Sequence, residues 1–166
     1  MTPNIRQYAA KQGFITGGCT FVICAILFFF MVKTDMVLAA TYLDMSLTVG
    51  CTGLCCVIIQ IFTIKGPVQK GLVPPAGDMA IQSAYLLYPK NSFAFLVLVT
   101  IAEVVLFAFA PIGVMAMFIA DGGVVPKVLY IVIKAAMAAL AGGYGTYHAN
   151  VFVSALHQEK LTKAAA

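Results

Sequence analysis

Apolar residues run through this chain in four long stretches, 14–32, 36–64, 93–120 and 128–156, and the breaks between them are polar. A membrane-spanning helix needs about 20 predominantly apolar residues, so each stretch is long enough to cross a bilayer. Lys33-Thr34-Asp35 separates the first two and leaves room only for a tight turn. Asp121-Gly122-Gly123 closes the third, and Pro126 opens the fourth in the position where proline starts a helix. The one long connection, 65–92, carries Gly66, Pro67, Gly71, Pro74, Pro75, Gly77 and Pro89, a density of helix breakers that ends the second run.

This pattern predicts an all-α, polytopic membrane protein. A single four-helix transmembrane domain covers residues 1–166, as two antiparallel hairpins joined by loop 65–92. Within that loop, 79–88 reads either as a short amphipathic segment with Tyr85 and Tyr88 at the headgroups or as an ordinary loop. The first run follows a basic segment with Arg6 and Lys11, which imitates a secretory signal, but its span length argues for a retained helix. In the third run Pro111 leaves the Phe107 carbonyl without its helical partner, and a kink is expected there.

Polar residues inside the runs refine the picture. Thr41, Asp44, Thr48, Cys51, Thr52 and Cys55 recur at three- and four-residue steps and share one helical face, which is expected to meet protein or a wet cavity. Ionisable residues within spans are costly and normally turn inward to a partner. Counting from the end of the bundle opposite the termini, Asp44 lies about nine residues into its run and Lys134 about seven, similar depths for opposite charges. Two readings stand: the second and fourth helices touch and the pair forms, or each side chain snorkels separately to the interface. Glu103 sits about ten residues in from the other side, near mid-membrane, with no basic residue at its level. Such a carboxyl is either a titrating group in an ion or proton pathway or a neutral acid hydrogen-bonded across a helix interface. His148, towards the same end, is either a further station on a path with Lys134 and Glu103 or a structural histidine.

Small residues set the packing expectation. Ala135, Ala139 and Gly143 share one face of the fourth run, and Ala138 and Gly142 share another with Thr146. Four-residue steps of this kind let helix backbones approach.

Composition then narrows the class. The 166 residues are 62% hydrophobic and 10% charged, and the mean hydropathy is +0.99. A soluble domain is about a quarter charged, so the lipid bilayer is the expected surrounding. The net charge of +4 is spread over loops with no Lys/Arg block, which argues against nucleic acid. The five cysteines all fall in apolar runs and read as small buried packing residues, and no Cys/His spacing suits a metal. Four spans place seven basic residues (Arg6, Lys11, Lys65, Lys70, Lys90, Lys160, Lys163) on the side of the termini and two (Lys33, Lys127) on the other. The imbalance predicts that both termini are cytoplasmic.

No nucleophile elbow, zinc-helix motif or phosphate loop is present, so no catalytic residue and no cofactor is expected. Two functional readings follow. The first is a non-enzymatic membrane subunit that self-associates or assembles with other membrane proteins. The second is a small oligomeric proton- or cation-coupled transporter or channel that uses Glu103, with Asp44 and Lys134 as gate or counter-ion.

Overall fold

A computed structural model describes residues 4–75, 91–118 and 123–165. The order is α1 (Ile5–Met31), β1 (Met36–Val37), α2 (Leu38–Gln69), α3 (Ser92–Val104), a π-helical turn (Val105–Phe109), α4 (Ala110–Phe118), β2 (Val124–Val125) and α5 (Lys127–Ala165). α3, the π turn and α4 are continuous. Four of the described helical stretches are long and apolar enough to cross a membrane. The 79–88 segment lies outside the described residues, as does most of the loop around it.

The helices outrun the apolar stretches at three ends. α1 begins at Ile5 rather than at 14, because the Asn4 side chain caps it by accepting from the Arg6 backbone N–H at 3.1 Å. Its first turns are amphipathic, with Ile5, Ala9 and Gly13 on the buried face. α2 continues through Gly66 and Pro67 and stops only where Gly71 turns left-handed at φ 69°. There Leu72 N–H reaches the Pro67 carbonyl at 3.0 Å and Gly71 N–H the Val68 carbonyl at 3.1 Å, the paired closure that a left-handed glycine permits. α5 extends well past 156, since its tail is made of good helix formers and Lys163 pairs with Glu159 one turn earlier at 2.9 Å. Apolar length marks where a helix meets lipid, whereas caps and propensity decide where it ends.

Pro111 acts just upstream of itself. The hydrogen-bond ladder widens there to a π turn, in which Ala110 N–H reaches back to the Val105 carbonyl. A π turn is one of the identifiable ways a helix accommodates such an interruption.

α5 is the central helix. α1 and α2 both lie along it, and α3 packs on α2 and on α5. The closest backbone approaches of α1 are to α5 rather than to its sequence neighbour α2. A Cβ placed on Gly13 would come to 2.7 Å from the Gly143 carbonyl oxygen, and one on Gly17 to 3.0 Å from that of Ala139. The two backbones are therefore in contact, and only glycine leaves room for them on the α1 side. At the end opposite the N-terminus the two tight connections meet. β1 and β2 pair antiparallel, with Met36 opposite Val125 and Val37 opposite Val124. Asp35 Oδ1 accepts from the Lys127 backbone N–H at 2.7 Å and so satisfies the first turn of α5 from across the bundle.

The apolar core falls into two clusters. One, at the end holding the N-terminus, includes Ile5, Val57, Val99, Ala149 and Phe152, with Phe95 and Phe152 stacked at 4.0 Å between centroids. The other includes Phe28, Val49, Ala108, Tyr130 and Ala141. The layer between them contains Gly53 of α2, Glu103 of α3 and Gly145 of α5.

Candidate functional site

Three polar contacts or clusters lie at different depths along the α2–α5 seam. The first joins Asp44, Tyr130 and Lys134. Tyr130 and Lys134 are one turn apart on α5 and point to the same oxygen of α2. Lys134 Nζ donates to Asp44 Oδ2 at 2.6 Å, and the Tyr130 hydroxyl donates to that same atom. The Lys134 ammonium also stands 4.3 Å from the centre of the Phe28 ring, so α1 contributes to holding it. The burial is uneven: the Lys134 side chain is 6% exposed and that of Asp44 39%. The chemistry is that of a clamp that fixes three helices, with the carboxylate open on one side.

The second is Glu103 in the layer between the clusters. It is fully buried, and neither of its carboxyl oxygens has a hydrogen-bond partner among the described residues. The hydroxyls of Thr100, one turn earlier on α3, and of Thr146, next to Gly145, are buried and unpartnered in the same sense. Glycine creates the space. A Cβ at Gly53 would overlap the Glu103 carboxyl, and one at Gly145 would come to 2.5 Å from Oε1. The arrangement accommodates a neutral acid, or a carboxylate that carries a bound cation. No described donor balances an isolated negative charge there.

The third is an amide pair that the reading of ionisable residues missed. Gln60 Nε2 donates to Asn150 Oδ1 at 2.9 Å, and Asn150 Nδ2 donates to the Thr146 carbonyl at 2.8 Å. A signal was available, because two primary amides inside apolar runs need partners as charges do, and residue counting places them near one depth.

Asp44 and Lys134 are thus brought together, whereas Lys134 and Glu103 are not. Glu103 lies at the level of Gly145, which is about 16 Å along α5 from Lys134 by helix rise, with buried Ala138 and Ala141 between. His148 is half-buried against the rings of Tyr144 and Tyr147, at 4.3 and 5.1 Å between centroids. The small residues of α5 divide by partner. Ala139 and Gly143 meet Gly17 and Gly13 of α1. Gly142 faces Thr20 and Cys56, with a Cβ there reaching 3.2 Å and 3.1 Å from their polar atoms. Ala135 and Ala138 are fully buried in the core cluster shared with Met45 and Val49 of α2.

Two expectations need correction. The polar stripe of α2 does not face inward along its whole length: Thr41 is buried, Asp44, Thr48 and Thr52 are half-buried, and Cys51 and Cys55 are exposed. The buried face runs through Met45, Val49, Gly53 and Val57, one residue out of phase with the stripe. The cysteines are likewise not uniformly buried, since Cys19, Cys51 and Cys55 are exposed and only Cys24 is buried. In a bilayer a small apolar residue is equally acceptable on either face, so hydropathy does not separate them. Among the described residues no group of three His, Cys, Asp or Glu side chains could hold a metal ion. Comparison with protein-family models, with curated proteins and with solved structures finds no match.

Proposed function

We propose that this chain is a non-enzymatic integral membrane subunit, a rigid four-helix body that assembles with copies of itself or with other membrane proteins, its two termini on the cytoplasmic side. The observation that carries this reading is where the intramembrane ionisable groups sit. Glu103 is wholly enclosed and Lys134 is 5% exposed within a single copy. A pore built by several copies would turn such groups towards a shared axis. Enclosed instead, they act on register, a role that buried polar groups can play. Apart from the open side of Asp44, the outside of the spans is largely apolar, and most of the apolar side chains of α1 are exposed. A groove of about 660 Å³ runs beside it, between Phe14 of α1 and Phe107 of the π turn, over Leu140 and Tyr144 of α5.

The test uses the exposed Cys51 and Cys55 as natural reporters in the native membrane. Oxidative cross-linking to a discrete higher-mass species, lost in the double serine variant, is the expected result. A chain that stays monomeric at native expression, and that runs alone after mild solubilisation, counts against assembly.

One observation favours a second reading. A buried carboxyl with both oxygens unpartnered, in a space kept clear by two glycines, also suits a proton- or cation-coupled device. Flux in liposomes separates the two readings: proton or cation movement in the wild type that disappears in Glu103→Gln establishes the coupled device, and absence of flux in both leaves the subunit.

A further inference from the structure

A separate pocket of about 140 Å³ lies between the C-terminal parts of α2 and α5. Its floor is apolar and buried, formed by Val68 and Phe152. Its rim carries Lys65 and Gln69 from α2 and His157 and Lys160 from α5. The periodicity explains the convergence. Lys65, Val68 and Gln69 share one face of α2, as Val153, Leu156, His157 and Lys160 do on the facing side of α5. Among the described residues no acidic side chain lines the pocket. Neither Lys65 nor Lys160 has a carboxylate partner among the described residues, whereas neighbouring Lys163 is engaged by Glu159.

Depth identifies the surroundings. Lys65 follows directly on the apolar run 36–64 of α2, and His157 follows directly on the apolar run 128–156 of α5. The pocket therefore stands where acyl chains give way to headgroups, with Phe152 on the chain side of His157 and Lys160. We propose that it binds the phosphate of an anionic membrane lipid, with Lys65 and Lys160 as the charged contacts and Gln69 and His157 as further donors. Basic pockets between helices at this level are suited to such headgroups.

Native mass spectrometry of the full-length protein in detergent tests this, with equal amounts of phosphatidylglycerol and phosphatidylcholine added. Phosphatidylglycerol is expected to be retained over phosphatidylcholine, and Lys65→Gln and Lys160→Gln are each expected to lower its retention about fivefold. Lys11→Gln and Lys163→Gln change basic residues outside the pocket and should leave retention unchanged. Equal retention of the two lipids overturns the proposal, as does an equal loss in all four variants, which would show an effect of overall charge. Inorganic phosphate alone forms the separate arm. If it stabilises the protein against heat as strongly as phosphatidylglycerol at the same concentration, the pocket belongs to a free phosphate and the lipid assignment fails. No stabilisation by phosphate, with the lipid retained, supports it.

Discussion

Glu103 and Gly53 form a lock whose parts are separable by mutation. The carboxyl occupies the volume that a side chain at residue 53 would need. Gly53→Ala is therefore expected to destabilise the fold by about 1–3 kcal/mol, the usual range for overpacking. In a Glu103→Ala background the added methyl has room and the same substitution should cost much less. Reversible unfolding of the two single variants and the double variant measures the coupling, and additive costs would show that the glycine matters for another reason. The Asp44–Lys134 clamp is expected to be asymmetric. Lys134→Met leaves a carboxylate that still accepts from the Tyr130 hydroxyl, so a loss of about 1–2 kcal/mol is expected. Asp44→Leu strands an ammonium that is 6% exposed, and the loss should approach the ~3–5 kcal/mol of a broken buried pair. Equal losses in thermal unfolding would show that the Tyr130 bond does not sustain the carboxylate. At this scale, depth was legible in the sequence, because helix rise is uniform: counting residues puts Asp44 and Lys134 at one height. Rotation was not. A one-residue phase error separates the polar stripe of α2 from its buried face, and nothing in a lipid-soluble sequence penalises that error.

At the scale of the element, the contact between α1 and α5 depends on bare backbone. Gly17→Leu is expected to force the helices apart. Thr20 and Cys56 both approach Gly142, so a Thr20→Cys variant offers the readout. Oxidation should link residues 20 and 56 in an otherwise native chain, and Gly17→Leu should abolish the link. Persistence of the link would mean that α1 is held by its larger side chains instead. The existence of four spans was plain from apolar length. Their ends were not, because Asn4, Gly71 and the Glu159–Lys163 pair act through hydrogen bonds and charge that a hydropathy pattern does not register. Gly13 was overlooked for a related reason: it falls at the polar edge of the first run, where packing residues are not sought.

For the molecule as a whole, the connections at the far end do more than turn the chain. Asp35 reaches the first turn of α5, and β1 pairs with β2, so that end is closed by contacts between distant parts of the sequence. Asp35→Ala should lower stability by about 1 kcal/mol, as loss of a helix cap does, and Asp35→Asn should retain most of it. A thermal shift of equal size in the two variants would rule out capping. This closure bears on the order of synthesis. The backbone partner of α1 is made after the other described helices, and Asp35 has no N–H to cap until that helix arrives. During translation α1 must therefore wait in the membrane with Gly13 and Gly17 uncovered. A neighbouring nascent chain presents the same α5 surface, so crowding on one messenger would favour exchange of α1 between two copies, and slow translation of α5 would increase it.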